Sequence, residues 1–382
     1  MLSPHDVAVT QVPNTLEDVP VMTKRAYARA ARASDAPLRF ATSRSGVPAP
    51  IARPGHVARI CGDALRIAGI DGEAVHLNLA APPPHASGWA GNSGFADIGA
   101  TSLNRNFTDW MAPVEDGHAV SATVLSSIPG KAEALAEAVE SEYGPPPSVF
   151  PNLETGVFTG QALRDGQRAR LRDRWGLERT RELYGSSEAA IIAAGDGESR
   201  RLVPLLNHLI LEIEVDGDIV DIRDVPEPTV GSLLVTDPAR TAVPLRRYRQ
   251  GDMVRVHPGS PLPRLTPLGR ADDAIDLAGA ILHPSDLFAA IEATMPDAAG
   301  AAAYVRDRTA PTTVEVFVSG QTEARPKALS DELLAVQPAL EHAVGPDPGD
   351  RFEVTAVESL EVASVPGEPL RPRSVRFESD VG

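Results

Sequence analysis

The stretch Val243–Gly279, which reads VPLRRYRQGDMVRVHPGSPLPRLTPLGRADDAIDLAG, joins a β-rich part of the chain to a part of different composition. Within it, Val254 and Val256 alternate with polar residues, and this period of two predicts a strand with one buried face. Prolines and a glycine between 258 and 263 predict a turn, and Gly269 precedes a run of charged residues. Polar residues at turns beside strands occur at many ligand sites, and they occur equally on solvated hairpins. Taken by itself, the stretch leaves both interpretations open.

The composition is that of a soluble globular protein, because 42% of the 382 residues are hydrophobic and 23% are charged. A chain of this length suits roughly two or three domains. The formal net charge of −16 disfavours a nucleic acid or an anionic membrane as partner. Only three lysines occur, at positions 24, 131 and 327, so arginine supplies nearly all of the positive charge.

The single cysteine, Cys61, lies in an apolar pattern and is expected to pack in the core. One cysteine excludes both an intramolecular disulfide and a multi-cysteine zinc site. No run of about 18 apolar residues occurs, and the chain does not open on a charged segment followed by an apolar one. We therefore expect a cytoplasmic protein with no membrane partner.

Hydrophobic periodicity predicts a chain in which helices and strands are mixed. Helices are expected at Met22–Ala33, Arg59–Ile70, Lys131–Glu142, Asp165–Trp175, Pro284–Met295 and Asp331–Val344, the last interrupted at Pro338. Strands are expected at Val75–Ala80, Val120–Leu125, Val157–Phe158, Leu209–Val215, Ile219–Ile222, Gly231–Val235, Ile275–Ile281 (a pair), Thr313–Val318 and, as the final one, Phe352–Val357. Loops are expected over Phe40–Pro54 and His85–Gly94. The pattern of predicted elements changes at Arg270–Asp273, which we expect to be a domain boundary.

The strongest catalytic motifs are absent from this sequence. It contains no GxGxxG, GxxxxGK[ST], GxSxG, HExxH or CxxC motif, and its nine histidines have no metal-ligand spacing. Glu188 and the pair Asp272-Asp273 are carboxylates of the kind that binds Mg²⁺. A charged surface turn would explain each of them equally well.

Several shorter motifs nevertheless follow one another in a recognisable order. These are Leu16–Lys24 (LEDVPVMTK), Ala41–Pro48 (ATSRSGVP), Thr159–Leu163 (TGQAL), Tyr184–Glu188 (YGSSE), Gly231–Asp252, Gly269–Asp273 (GRADD), Gly279 and His283–Ser285 (HPS). With this order and spacing the chain resembles the adenylate-forming (AMP-binding) superfamily, and within it the phenylacetate–CoA ligase branch, as a divergent and shortened relative.

The resemblance implies an α/β fold and an ATP-dependent ligase. Residues 1–270 would form a large N-terminal domain of mixed sheets with helices that binds AMP and the acyl group, and residues 271–382 a small α+β C-terminal lid domain. The expected reaction activates an apolar or aryl acid as an acyl-adenylate and transfers it to CoA, a carrier-protein thiol or an amine. The implied cofactors are ATP and Mg²⁺, with CoA as a candidate, and a homodimer is left open.

The resemblance also assigns roles to individual residues. The residues expected to bind the nucleotide are Thr42, Ser43, Ser45 and Gly46 for the phosphates. Tyr184 would stack on the adenine and Gly160, Gln161 and Ala162 would line its edge. Gly185, Ser186 and Ser187 are also expected to bind the nucleotide. Asp252 would accept hydrogen bonds from the ribose, with Arg270 nearby, and Gly279 would allow close approach of a pantetheine arm. Glu188 would act in catalysis by holding Mg²⁺, and Asp272 would be the hinge of the lid.

The acid is expected to bind near His85, Gly88, Trp89 and Phe95. The two aromatic residues would suit an apolar or aryl acid. As an alternative, both are ordinary core residues.

Several departures from the family pattern affect adenylation directly. Glu368 stands where the catalytic lysine of the lid is expected, and no lysine follows Lys327. A glutamate repels phosphates, so Arg371 and Arg373 are the candidate catalytic replacements.

Three smaller departures accompany the loss of that lysine. Val47 replaces the lysine of the phosphate loop, which is also one residue short; Gln161 replaces a glutamate; and Gln250 replaces a threonine. The alternative hypothesis is therefore a homologue that does not catalyse the reaction, or catalyses one half-reaction only, and serves as a binding or scaffold protein.

Overall fold

The computed structural model describes residues 19–35, 38–41, 48–51, 53–80, 86–104, 121–197, 199–240, 243–277, 280–296, 300–305, 314–320, 325–336, 352–358 and 375–377, with Leu16, Ala298, Leu340 and Leu360. The chain divides into two compact units. The first comprises residues 1–250 and 254–267, and the second comprises residues 251–253 and 268–382. The expected boundary between residues 270 and 271 stays a prediction.

The helices of the described residues are α1 (Lys24–Ala33), α2 (Pro54–Ile67), α3 (Ala86–Asp97), α4 (Pro129–Tyr143), α5 (Pro146–Val149), α6 (Asp165–Trp175), α7 (Pro284–Thr294) and α8 (Pro326–Val336). The strands of the first half are β1 (Leu38–Ala41), β2 (Pro48–Ile51), β3 (Val75–Asn78), β4 (Thr101–Asn104), β5 (Val124–Ser127), β6 (Thr155–Thr159), β7 (Arg179–Ser186), β8 (Ala190–Ala194) and β9 (Val203–Pro204). The later strands are β10 (Ile210–Val215), β11 (Asp218–Asp221), β12 (Thr229–Asp237), β13 (Leu245–His257), β14 (Arg264–Arg270), β15 (Ile275–Leu277), β16 (Ala280–Leu282), β17 (Gly300–Val305), β18 (Val314–Ser319), β19 (Phe352–Val357) and β20 (Val375–Phe377).

A seven-stranded sheet forms the centre of the first unit, with the strand order β4-β3-β5-β6-β7-β8-β9. The first five strands run parallel, and β8 and β9 are antiparallel additions. Parallel strands are usually covered on both faces, and here apolar clusters pack on each side. Phe95 of α3 belongs to one cluster and Trp175 of α6 to the other. The carboxyl ends of the parallel strands therefore meet along one edge of this sheet.

A five-stranded sheet, in the order β11-β10-β12-β13-β14, carries the N-terminal helix. Helix α1 begins at the Thr23 cap, whose hydroxyl oxygen accepts a hydrogen bond from the Ala26 amide, and it buries Tyr27 against this sheet. Just before the helix, Met22 forms a β-bridge to Tyr248 of β13. The N-terminal segment is thereby tied to a strand far along the chain.

The second unit contains a β15–β16 hairpin and a four-stranded sheet in the order β19-β18-β17-β20. Strands β17 and β18 are antiparallel, and each has a parallel outer neighbour. Its apolar cluster includes Leu287 and Phe288 of α7 and Leu329 and Leu333 of α8. This unit has an apolar core of its own.

Most expected elements agree with the structure. The charged helix Asp165–Trp175 and the strand pair around residues 216 and 217 are confirmed, as is the strand with one buried face, in which Val254 and Val256 are buried. Cys61 is buried, and burial raises the pKa of its thiol to about 12. None of the described helices is long and apolar enough to cross a membrane.

The loop expected over His85–Gly94 is wrong, because α3 occupies residues 86–97. Its glycines suggested a loop, yet they serve helix packing. A Cβ at Gly94 would lie 2.6 Å from the Cβ of Cys61, so glycine lets α3 approach α2 closely. Propensity is overridden here by tertiary contact.

Three further expectations are also wrong. The loop over Phe40–Pro54 contains the antiparallel pair β1–β2, and β20 follows the strand that was expected to be the last. The helix expected from Asp331 begins at Pro326 instead. In each case the apolar pattern was too short or irregular to predict the element, and β20 also pairs with a strand distant in sequence, β17.

Candidate functional site

The motif Tyr184–Glu188 lies at the end of β7 and in the turn to β8. Gly185 is required there, because a Cβ would overlap the carbonyl oxygen of Ala190. The Ser186 hydroxyl oxygen accepts a hydrogen bond from the Ala189 amide at 3.1 Å, and half-buried Ser187 lies in the same turn. Backbone and side chain together fix this turn, and Glu188 with it.

Glu188 is a buried carboxylate, with 8% of its surface exposed. Its Oε1 accepts a hydrogen bond from the Tyr248 hydroxyl at 3.3 Å. No ion pair to Glu188 is found among the residues that the structure describes. Burying a carboxylate is costly unless a cation compensates it, so this side chain is suited to hold a cation.

Mg²⁺ fits these donors better than a metal that needs a protein cage. The described ranges contain no cluster of three or more histidine, cysteine, aspartate or glutamate side chains suited to a metal ion. Mg²⁺ is commonly held by one or two carboxylates, with substrate phosphates and water completing its shell. Glu188 alone meets that requirement when a nucleotide supplies the other oxygens.

Tyr184 is the half-buried aromatic residue of the site. Its hydroxyl oxygen accepts a hydrogen bond of 2.7 Å from Gln250 Nε2, and Gln250 is buried. Residues 160–162 follow β6, the parallel neighbour of β7, with Thr159 paired to Leu183. Both segments therefore lie at the carboxyl edge of the sheet, where ligands bind in open α/β folds. Gly160 and Gln161 are exposed there and Ala162 is half-buried.

Asp252 and Arg270 form an ion pair within the second unit. Arg270 Nη1 lies 2.9 Å from Asp252 Oδ1, and both side chains are partly exposed. Gly251 precedes Asp252 with a φ of +92°, and a Cβ there would overlap the Arg270 guanidinium. Asp272 lies next to this pair in sequence, exposed in the single-turn helix Ala271–Asp273.

The residues expected to bind the acid are not equivalent in the structure. Phe95 is only 1% exposed, and its ring stacks on His76 with centroids 3.5 Å apart. Trp89 is half-buried at the start of α3, and the buried Gly88 carbonyl oxygen accepts a hydrogen bond from Asn78 Nδ2 at 2.9 Å. This geometry favours Phe95 as a core residue and leaves Trp89 as the accessible aromatic side chain.

A buried network of polar side chains lies beneath α3, and the sequence did not predict it. His76 Nδ1 lies 2.8 Å from Ser102 Oγ, and His76 Nε2 lies 2.6 Å from Ser126 Oγ. Asn78 donates a further hydrogen bond to Asn92 of α3 at 2.6 Å. Burial lowers the pKa of His76 to about 3, so the ring stays neutral. The alternation VHLN predicted a strand, but polar residues at alternate strand positions usually face water and give no sign of a buried network.

A second missed feature is the buried carboxylate of Glu182 on β7. Burial raises its pKa to about 7, although the charges of Arg200, Arg168 and Arg164 act in the opposite direction. Arg168 is itself buried and donates a 2.7 Å hydrogen bond to Thr180 Oγ1. Glu182 and Thr180 lie on β7, the strand that also carries Tyr184, and Arg168 lies on α6.

Glu182→Gln is expected to flatten the dependence of stability on pH between about pH 8 and about pH 5. Because the folded pKa is raised from 4.5 to about 7, the native protein holds a proton in this range that the unfolded chain releases. The contribution of Glu182 to stability is therefore full at low pH and is lost as the pH rises through 7.

Melting temperatures measured by calorimetry across this range test the expectation. Glu178→Gln is the matched control, since Glu178 is an exposed carboxylate just before the same strand. Its slope should equal that of the parent protein. An unchanged slope in Glu182→Gln would contradict the assigned pKa.

Ten residues that the sequence assigns to the site, or to departures from the family pattern, lie outside the described residues. They are Thr42, Ser43, Ser45, Gly46, Val47, His85, Gly279, Glu368, Arg371 and Arg373. Of the others, the first unit brings Tyr184, Gly185, Ser186, Ser187 and Glu188 together with Gly160, Gln161 and Ala162 at one sheet edge. Asp252, Arg270 and Asp272 belong to the second unit.

Comparison with known proteins supports the fold that this geometry suggests. No protein-family model matches the chain. The phenylacetate-coenzyme A ligase of Pseudomonas putida is 27% identical over 147 residues, which span 35% of this chain and 31% of that relative. The match therefore covers about a third of the length of the curated relative.

Solved structures match far more of the chain. A 2-hydroxyisobutyryl-CoA ligase in the postadenylation state, in complex with 2-HIB-AMP, matches with a TM-score of 0.74 at 18% identity. That match covers 95% of this chain and 80% of the ligase. The amide bond synthetase McbA from Marinactinospora thermotolerans matches with a TM-score of 0.59 at 21% identity, covering 88% of this chain and 66% of that one.

The chain thus has the mixed α/β fold of adenylate-forming enzymes, with a large N-terminal and a small C-terminal part. The expected fold class is confirmed. The likeness to the phenylacetate–CoA ligase branch is also confirmed, by the curated relative.

Proposed function

We propose that this protein is an ATP-dependent carboxylic acid ligase that forms an acyl-adenylate and transfers the acyl group to CoA, a carrier thiol or an amine. In the first step a carboxylate oxygen bonds to the α-phosphorus of ATP, and the bond to pyrophosphate breaks. The observation that carries the proposal is Glu188, a buried carboxylate that has no ion-pair partner in the described part of the chain and lies in the same motif as Tyr184. Both lie at the carboxyl edge of a fold shared with a ligase captured with an acyl-AMP.

The side chains of the first unit have separable tasks in this reaction. The Tyr184 ring offers a flat surface for the adenine base, and residues 160–162 border the same edge. Glu188 would hold Mg²⁺, which when bound screens the charge of the phosphates. In the second unit, Asp252 pairs with Arg270, and the family resemblance assigns its carboxylate to the ribose hydroxyls.

The acid is proposed to be small and apolar or aromatic, with Trp89 as the accessible ring beside it. Asn78 fixes the neighbouring Gly88 carbonyl, so the start of α3 is held in place from below. Two relatives are named as CoA ligases and one as an amide bond synthetase. Those names favour CoA as the first acceptor to test and an amine as the second.

Pyrophosphate release from ATP and Mg²⁺ over a panel of aryl, branched aliphatic and 2-hydroxy acids tests the proposal. We expect release only when a suitable acid is present, followed by a thioester or amide when CoA or an amine is added. Absence of release with every acid would contradict the proposal.

One sequence feature favours a second candidate, which catalyses only the transfer half-reaction. Glu368 replaces the lysine that the family resemblance leads one to expect, and repulsion between a carboxylate and phosphates would slow adenylation. In that case the protein would convert a supplied acyl-AMP and CoA to a thioester and AMP, yet release no pyrophosphate from ATP. Restored release in Glu368→Lys would support this candidate, and release by the parent protein would exclude it.

A further inference from the structure

Strand β13 provides two hydrogen-bond donors to the motif Tyr184–Glu188. Tyr248 and Gln250 lie two residues apart on β13, so their side chains project from the same face. The Tyr248 hydroxyl donates to Glu188 Oε1 at 3.3 Å, and Gln250 Nε2 donates to the Tyr184 hydroxyl at 2.7 Å. Both donors are buried, with exposed fractions of 0% and 4%. One strand thus holds the first and the last residue of the motif.

The bond from Gln250 depends on the length of its side chain. The family resemblance leads one to expect threonine at this position, and the threonine hydroxyl lies two bonds nearer to the backbone than Gln250 Nε2. A threonine would therefore fall short of the Tyr184 hydroxyl at the present backbone separation. The glutamine is a departure from the family pattern that has a definite partner in this chain.

Residues near the N-terminus of the chain fix the position of Tyr248. Its ring packs against that of Tyr27, with centroids 5.1 Å apart and planes inclined by 42°. On either side of Tyr248, the Met22 amide donates to the Arg247 carbonyl at 3.0 Å, and the Arg249 amide donates to the Met22 carbonyl at 3.1 Å. The hydroxyl that reaches Glu188 is therefore fixed by both backbone pairing and ring packing.

We infer that Gln250 and Tyr248 are positioning residues with separate effects, in which Gln250 orients Tyr184 for the base and Tyr248 orients Glu188 for the metal. This inference rests on the proposed function. A hydrogen bond that fixes a ring affects binding of the base alone, whereas one that fixes the carboxylate affects only the metal complex. A merely structural role for β13 would alter both together.

Calorimetry separates the two effects. In the first measurement AMP is titrated without metal into the parent protein, Gln250→Thr, Tyr184→Phe and the double variant. We expect each single change to weaken AMP binding by roughly three- to tenfold, the usual value of a neutral hydrogen bond. Because both changes remove the same bond, the double variant should bind no worse than the weaker single one.

In the second measurement Mg²⁺ is titrated into protein saturated with a non-hydrolysable ATP analogue. Tyr248→Phe should weaken Mg²⁺ binding by roughly three- to tenfold and leave AMP binding within about twofold of the parent. Gln250→Thr and Tyr184→Phe should weaken AMP binding and leave Mg²⁺ binding within about twofold of the parent. Melting temperatures establish that each variant is folded. If Gln250→Thr does not fold, Tyr184→Phe, which deletes only one heavy atom, is sufficient for the AMP titration.

Two results would overturn the inference. If AMP binding is unchanged in both Gln250→Thr and Tyr184→Phe, Gln250 does not orient Tyr184 for the base. If Tyr248→Phe weakens AMP binding and Mg²⁺ binding equally, β13 has only a structural role. A parent protein that binds neither AMP nor the ATP analogue would instead overturn the proposed function, and the inference with it.

Discussion

Glu188→Gln is expected to lower ATP-dependent pyrophosphate release by about 100- to 1,000-fold, the usual loss when one electrostatic group of a charged transition state is removed. The amide keeps the size of the side chain and can still accept the hydrogen bond from the Tyr248 hydroxyl. It removes the negative charge, and with it the reason for Mg²⁺ to bind there.

The same substitution should leave the fold intact. Glu188 has no ion-pair partner within the described ranges, so neutralising it strands no buried cation, and the melting temperature is not expected to fall. Glu178→Gln is the control, because it makes the same chemical change at an exposed position and should keep the parental rate. A Glu188→Gln protein that retains more than half of the parental rate would show that Glu188 does not hold the metal.

Arg247→Met is expected to lower the free energy of unfolding of the first unit by about 3–5 kcal/mol, the usual cost of breaking a buried ion pair on one side. Arg247 donates two hydrogen bonds to Glu212, at 3.0 Å from Nε and 2.7 Å from Nη2. Both side chains are less than a tenth exposed. Removing the guanidinium leaves the Glu212 carboxylate buried without compensation.

A double variant distinguishes this cause from simple loss of packing. Arg247→Met combined with Glu212→Met replaces the pair by apolar side chains and should recover most of the lost stability. Arg246→Met changes the exposed neighbouring arginine and should stay within about 0.5 kcal/mol of the parent. Urea unfolding followed by tryptophan fluorescence reports on this unit, since Trp89 and Trp175 lie in it. A double variant as unstable as Arg247→Met would contradict the explanation.

Local patterns were sufficient to predict the parts of the fold that local forces determine. The helix Asp165–Trp175 has an acid in its first turn and arginines in its last, and its ends agree with the structure. The strand pair around residues 216 and 217 was equally predictable, because a turn residue and a glycine separate two apolar runs. Helix α3 was not, because its glycines are explained only by the approach of α2.

In the site, too, the features with a local cause could be predicted and those that depend on distant residues could not. The motif Tyr184–Glu188 is contiguous and could be recognised as a motif, and Gly185 has a local reason to be glycine. The partners of that motif, Tyr248 and Gln250, come from a strand about 60 residues later, which no periodicity connects to it. The network of His76 and Asn78 was hidden because polar residues at alternate strand positions usually face water.

The bridge between Met22 and β13 has a consequence for the order in which the protein folds. The Val19 carbonyl oxygen accepts a hydrogen bond from the Arg247 side chain, 228 residues later in the chain. Closing so long a loop is entropically expensive, so we expect this contact to form late in folding. Tyr248 reaches its final surroundings only when this closure is complete. We therefore expect the carboxylate proposed to bind the metal to be among the last parts of the first unit to acquire its native geometry during synthesis.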